Sequence, residues 1–272
     1  MKNIALTSCY NHNWDQLEVV VKSFREKCPD DDMAIFFYSH PSSLTLEKLS
    51  ENSVNAIFVK SNRPDRIVVE RFLAYSEILS NCNYKYAVCV DSADIFFQKN
   101  PFNWLKEKLG NESKTVVGSE QLMYRDEPWG RDNLMQSFPK EYEKISKHEI
   151  GNAGSIGGEV SCLSKICRLI YNLSANNPVF NPDQAALNVL LRSSSVNDFL
   201  FTTPKDGWSY QCGTSANDLR GKSPDYNFEK NLIGFPPRLV DGFIVNENNE
   251  PVCIVHQYHH NSLFNNKIRS ML

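Results

Sequence analysis

Tyr86-Ala87-Val88-Cys89-Val90-Asp91-Ser92-Ala93-Asp94-Ile95-Phe96-Phe97 is the stretch around which the chain is organised. Its run of β-formers reads as a strand buried on both faces, as in the middle of a parallel sheet. The run stops at two carboxylates spaced Asp-x-x-Asp, resumes as a second apolar burst, and ends at Asn100-Pro101-Phe102. In open α/β sheets ligands bind at the carboxyl ends of the strands. Asp91 and Asp94 repel each other there unless a cation or a donor network lies between them. Mg²⁺ and Mn²⁺ take such oxygen ligands and commonly bridge carboxylates to substrate phosphates. By itself the pair reads equally well as a turn, with Asp91 capping it and Asp94 solvated.

The flanks set the fold class. Upstream, strand patterns over 3–9, 33–38 and 54–59 alternate with helical ones over 15–27, 44–49 and 67–79. Such alternation indicates βαβ units, hence an α/β fold with a mostly parallel central sheet flanked by helices. The helix over 67–79 feeds directly into the Asp-x-x-Asp strand and sets Arg71 among apolar neighbours. Arg71 is therefore read as a partner of phosphate or of the two acids; Arg63 and Arg66 are read as a solvated basic face. Downstream, a helix over 101–109 opens on proline, where a missing N–H costs nothing. A strand over 115–119 follows. From 120 to 150 the periodicity fails, and the segment with Tyr124 and Trp129 reads as a substrate cover or a surface excursion.

Two later stretches carry chemistry. Ile150-Gly151-Asn152-Ala153-Gly154-Ser155-Ile156-Gly157-Gly158 permits close approach of backbone to a ligand, or tight turns with positive φ. It matches neither a dinucleotide fingerprint nor a phosphate-binding loop with Gly-Lys-Ser/Thr. After a helix over 161–173, Asn181-Pro182-Asp183-Gln184 opens another, with Asp183 in the first turn where the helix dipole favours an acid. The chain beyond Phe201 is loop-rich and closes on Pro251-Val252-Cys253-Ile254-Val255-His256, a short apolar strand ending in a histidine. An imidazole added to two carboxylates makes an N/O donor set suited to Mn²⁺. No His-Glu-x-x-His is present, so a zinc hydrolase has no footing.

Composition narrows the class. A chain of 272 residues with net charge −3 carries no global basic field for nucleic acid. No run of eighteen apolar residues exists, which leaves peripheral membrane contact open and a transmembrane helix unsupported. Eight scattered cysteines without a Cys-x-x-Cys pair predict free thiols and a cytoplasmic setting.

Taken in order, Asp91-Ser92-Ala93-Asp94, Asn152-Ala153-Gly154, Asp183-Gln184-x-x-Leu187-Asn188 and terminal His256 resemble the nucleotide-sugar glycosyltransferases of the GT-A fold. The likeness is to the retaining glycogenin and bacterial lipopolysaccharide group, and to the glycosyltransferase domain of procollagen lysyl hydroxylases, whose acidic motif has the same extra spacer. The resemblance implies one Rossmann-like domain over residues 1–272, with a nucleotide-binding half to residue 100 and a sugar- and acceptor-binding half over 101–272. It implies a UDP-sugar donor, Mn²⁺ or Mg²⁺ as cofactor, and transfer of a hexose to a hydroxyl acceptor on a glycan, lipid-linked sugar or protein. Carried over, Asp91, Asp94 and His256 hold the metal. Thr7 and Tyr10 hold the uridine, Asp91 contacts the ribose or the metal, Ser92 counts with them among the donor-binding residues, and Arg71 stands near the diphosphate or braces the acids. Asn152, Asp183 and Gln184 face the transferred sugar as the catalytic set. The Gly and Lys-Pro-Trp that follow the histidine in that group are absent; Gln257-Tyr258-His259-His260-Asn261 stands there instead.

Retention is the expected outcome; an inverting reaction needs a base on the opposite face, with Glu120, Glu159 and Asp206 as candidates. A transferase that makes nucleotide sugars would carry a Gly-rich basic loop after the first strand, which Thr7-Ser8-Cys9-Tyr10-Asn11 lacks. A catalytically inactive binding module of the same fold is the remaining alternative.

Overall fold

Strand and helix alternate from the start, as the hydrophobic pattern predicts. The computed structural model describes residues 2–61, 63–216 and 232–272; part of the loop-rich stretch expected after Phe201 therefore lies outside the described residues. The first units are β1 (Ile4–Cys9), α1 (Trp14–Lys27), β2 (Asp32–Phe37), α2 (Ser43–Glu51), β3 (Asn55–Phe58), α3 (Ile67–Ser80) and β4 (Tyr86–Val90). Local chemistry starts and stops them. Asn13 and Gln16 form a reciprocal capping box at α1, and Ser42 caps α2 through the Thr45 N–H.

Then follow β5 (Ile95–Phe97), α4 (Pro101–Leu109), β6 (Thr115–Met123), α5 (Pro128–Ser137), α6 (Pro139–Ile145) and β7 (Glu149–Glu159). The last elements are α7 (Val160–Ser174), α8 (Asp183–Leu191), β8 (Phe199–Thr202), β9 (Ser209–Gln211), α9 (Cys212–Ser215), β10 (Arg238–Val240), β11 (Phe243–Val245), β12 (Ile254–His256) and a closing helix, Ser262–Arg269. No helix among the described residues is long and apolar enough to cross a membrane.

The main sheet has the order β3-β2-β1-β4-β7-β6-β8. Only β7 runs against the rest, pairing antiparallel with both β4 and β6. Both faces are covered. Val88 of β4 and Ala5 of β1 pack toward Leu17, Val20, Phe24 and Phe102 of α1 and α4. Their neighbours Cys89 and Leu6 pack toward Phe72, Leu163, Ile166 and Leu187 of α3, α7 and α8. Burial on both sides is why β4 reads as an unbroken apolar run rather than an alternating one. All eight cysteines are free.

Three sequence expectations change. The 86–97 run is two strands: β4 stays in the main sheet while β5 joins a second sheet of order β5-β12-β9. The glycine-rich stretch is neither loop nor turn but the buried strand β7, and none of its glycines has positive φ. Glycine is needed there for space. A Cβ at Gly158 would collide with the Lys114 carbonyl and stand 3.0 Å from Thr115 Cα. The segment 120–150 is also regular, with β6 running on to Met123 and α5 and α6 after it, and Tyr124 is buried rather than exposed.

Because the atoms facing Gly158 are backbone, they have little room to yield. Gly158→Ala should destabilise the fold by about 1–3 kcal/mol. Gly234→Ala, with nothing among the described residues within 4 Å of its added Cβ, should stay within about 0.5 kcal/mol of wild type. Paired denaturant melts check this; equal midpoints for the two variants would contradict the packing argument.

Candidate active site

The point at which the chain leaves the main sheet is where the acids converge. The Asp91 N–H donates to the Gly154 carbonyl at 3.0 Å, so β7 holds the first acid. Four residues later the chain is in the second sheet, where β5 places Ile95 opposite His256 of β12. The Gln257 N–H donates to the Asp94 carbonyl at 2.8 Å. Asp91, Asp94 and His256 are thus brought together by two sheets sharing one connection.

One ligand atom from each of the three lies within 4.8 Å of the other two. His256 is fully enclosed. Its Nδ1–H donates to Gln211 Oε1 at 2.7 Å, and the Gln211 amide is itself fixed by donating to Ser155 and Ser209 hydroxyls. This second contact orients the ring and turns Nε2 toward the carboxylates, the usual support of a metal-ligating imidazole. Nε2 stands 3.2 Å from Asp91 and 3.4 Å from Asp94, yet it and Asp94 Oδ1 are enclosed without a directed hydrogen bond. Burial alone would lower the His256 pKa, but the charges of Asp94 and Asp91 push it up to about 10. Gly154 leaves the trio its room, since a Cβ there would press on the His256 ring and stand 2.7 Å from Asp91 Oδ2. An oxygen-rich set with one imidazole, an enclosed Asp94 Oδ1 without a hydrogen-bond partner and a missing Cβ fits a hard or borderline divalent ion.

Arg71 links this trio to a second group. Its guanidinium pairs with Asp91 and, at 3.3 Å, with Asp183 of α8. Burial raises the Asp91 carboxyl, but Arg71 and His256 outweigh it and hold the group well below the usual carboxylate range. For Asp183 burial wins, and its pKa lies above the ordinary value despite Arg71.

Two cavities meet at Arg71 and Asp91. One, of about 350 Å³, is lined by Ser8, Tyr10, His12, Ser92 and Asp94 among others. The second, of about 280 Å³, is lined by Asn152, Asp183, Gln184, Glu120, Trp129 and His256 among others. Every sequence-predicted site residue except Thr7 lines one or both of the two cavities. Thr7 is enclosed in the middle of β1 and lines neither cavity; Ser8 and Tyr10, nearer the strand's end, form the wall. Ser92 lines the first cavity and is hydrogen-bonded to His12 at 2.9 Å. Arg63 and Arg66 stay away from the acids. Arg66 is buried, not solvated, with its guanidinium clamping carbonyls of Ser174, Asn177 and Val179.

Of the three carboxylates offered as a base, two are structural. Glu159 caps α7 at the far end of β7, and Asp206 caps the turn after Thr203. Glu120 alone lies in the cavity, where it accepts from Asn152 Nδ2 at 2.8 Å. Burial and the nearby Glu127 charge push its pKa up to about 7. Sequence reasoning did not find Gln211 or Glu127, because their roles depend on β9 and the α5 cap, which no local pattern announces.

Comparison with known proteins supplies fold-level kinship only. No model of a known protein family matches the sequence, and no curated protein is similar to it in sequence. Among solved structures, it is similar to galactosyltransferase LgtC in complex with donor and acceptor sugar analogues. The TM-score is 0.58 at 13% identity, covering 98% of this chain and 95% of that one. It is also similar to an active-site mutant of LgtC, with TM-score 0.56 and 12% identity over 98% of this chain and 95% of that one. A third likeness is to the bifunctional glycosyltransferase WbbM in its apo form, again with TM-score 0.56 and 12% identity. It covers 94% of this chain and 45% of WbbM. The chain therefore has the GT-A fold expected from its motifs.

The Glu120 shift has a consequence for stability. Its folded-state pKa lies above that of an unfolded glutamate, so the folded chain holds this proton more tightly. The resulting stabilisation is whole below the unfolded value of about 4.3 and drains away as pH rises through the folded one. The stability of wild type relative to Glu120→Gln should therefore fall between pH 5 and 8, at most about 1.4 kcal/mol per pH unit. Urea melts across that range check it; a difference independent of pH would mean that Glu120 titrates normally.

Proposed function

We propose that this protein is a divalent-metal-dependent glycosyltransferase that moves a hexose from a UDP-sugar to a hydroxyl acceptor, with retention at the anomeric carbon. The observation that carries the reading is the convergence of Asp91, Asp94 and His256 at the seam between two cavities. A nucleotide diphosphate-sugar needs that arrangement: room for a nucleoside on one side, room for a sugar on the other, and charge compensation between. The fold shared with LgtC and WbbM supports the same class.

In this reading Tyr10, 40% exposed at the mouth of the first cavity, offers a ring face to the uracil. Ser92 and Ser8 offer hydroxyls toward the ribose. Asp91, Asp94 and His256 hold Mn²⁺ or Mg²⁺, which supplies Lewis-acid stabilisation of charge developing on the leaving diphosphate. Arg71 keeps Asp91 ionised and aimed at that ion. Asn152, Asp183 and Gln184 line the sugar side, where an ionised Asp183 accepts hydrogen bonds from sugar hydroxyls and counters positive charge growing at the anomeric carbon. Retention asks for no protein base on the opposite face, because a diphosphate oxygen can take the acceptor proton.

One observation favours the inverting alternative: Glu120 is a carboxyl in the sugar-side cavity with a pKa pushed up to about 7, where a general base works best. The anomeric configuration of the product, read by proton NMR, separates the two. A catalytically inactive module would bind UDP with metal and release none from any UDP-sugar.

Calorimetry with UDP should show binding that needs Mn²⁺ or Mg²⁺, vanishes with chelator and is weakened at least about tenfold by Asp94→Asn. Affinity indifferent to chelator would remove the metal from the account. Asp183→Asn takes one of two carboxylate partners from buried Arg71 and should lower stability; assayed where it is folded, it should still bind UDP with metal yet lose at least about a hundredfold in turnover, as an interaction made mainly in the transition state does. Near-wild-type turnover would place Asp183 outside the chemistry.

A further inference from the structure

Beyond the sugar-side cavity lies a groove of about 550 Å³, larger than either cavity at the acids and sharing Trp129 and Asn181 with the nearer one as walls. It is built on one face of α5. Trp129, Asp132, Asn133 and Gln136 line it at helical spacing, and Phe180 from the segment before α8 closes the other side. Trp129 and Phe180 are 47% and 59% exposed, so two aromatic rings face solvent where a folded chain gains nothing by leaving them.

The walls are pinned. Asn133 Nδ2 donates to the Asn181 carbonyl at 2.8 Å, and Asn177 Nδ2 donates to the Ser137 carbonyl at 2.9 Å, tying the segment to α5. Asn177 Oδ1 also accepts from the Val179 N–H at 3.0 Å, which shapes the turn that presents Phe180. At the wall common to groove and cavity, Asn181 Oδ1 is enclosed with no hydrogen-bond partner. Buried polar atoms without partners are uncommon enough to require a cause.

Two exposed rings interleaved with amides and a carboxylate match one ligand chemistry well. A pyranose has an apolar face of C–H groups and a rim of hydroxyls. The face lies on an aromatic ring, while the rim exchanges hydrogen bonds with Asn, Gln and Asp side chains. An apolar chain would strip water from the exposed Asp132 and Gln136 side chains without replacing its hydrogen bonds. We propose that this groove is a saccharide subsite, holding the sugars of the acceptor that lie beyond the reacting residue. The acceptor is then an oligosaccharide, bound through at least two of its units. The inference rests on the glycosyltransferase reading, because continuity with the sugar-side cavity is what assigns the groove to the acceptor.

The test uses the full chain with Mn²⁺ and UDP, titrated by calorimetry and by tryptophan fluorescence. The probes are galactose, glucose and N-acetylglucosamine against lactose, maltotriose, cellotriose and chitotriose. At least one oligosaccharide should bind about tenfold or more tighter than its monosaccharide and change the fluorescence. Trp129→Ala and Phe180→Ala should each remove that gain. Trp129 is nearly half exposed and Phe180 more than half, so neither replacement empties a core position. No gain with any oligosaccharide, or a gain that survives both replacements, would overturn the subsite. UDP binding in the same cell reads the donor site separately: a length-dependent gain without UDP–Mn²⁺ binding would keep a saccharide groove and sink the transferase reading.

Discussion

A guanidinium buried between two carboxylates is the interaction on which the site depends. Arg71 has 9% of its side chain exposed and Asp183 8%, so neither charge has water enough to stand alone. Breaking such a buried set by removing one partner typically costs about 3–5 kcal/mol, because the other charge is left uncompensated. That cost ties three elements together. Arg71 comes from α3, Asp91 from the end of β4 and Asp183 from the start of α8, and none can shift without separating charges in a poorly hydrated place.

The same accounting explains why the site is suited to a dication. Asp91, Asp94 and Asp183 face Arg71 and His256. Without a metal, the carboxylates hold a proton on the imidazole by raising its pKa to about 10. A divalent ion held by the three would displace that proton; Asp91 and Asp94 would then balance the ion, Arg71 would balance Asp183, and the imidazole would take the neutral form that a ligand requires, with Gln211 fixing its orientation. The division between two sheets provides the geometry. A chain continuing straight from β4 would carry Asp94 along the main sheet; turning into the second sheet brings it to His256.

Much of this was legible in the sequence, and the reason differs by residue. Asp91 and Asp94 were visible because a doubly buried strand must be apolar, and an abrupt pair of acids at its end breaks that rule. Arg71 showed for a similar reason, as a charge on a helix otherwise apolar around it. Thr7 is enclosed within β1 while Ser8 and Tyr10 line the cavity, because successive strand residues face opposite sides of the sheet and the pattern alone does not say which side the cavity is on. The glycines of β7 misled because glycine signals turns far more often than strands. Here they are demanded by Trp208, Lys114 and His256 pressing from across the sheet, contacts distant in sequence. Glu120 was one of three equal candidates until the fold showed the other two capping helices. The groove beside Trp129 was invisible because it needs α5 and the segment before α8, some fifty residues apart, to be side by side.

The central claim is that Asp91, Asp94 and His256 share one divalent ion with a nucleotide diphosphate. Pulsed electron paramagnetic resonance of the Mn²⁺-loaded protein measures this directly, because nuclei bonded to the ion through one or two atoms leave their own modulation. The account predicts a nitrogen coupling from one imidazole that disappears in His256→Gln, and a phosphorus coupling that appears when UDP is added. Bound Mn²⁺ with no nitrogen coupling, or a nitrogen coupling that persists in His256→Gln, would contradict it.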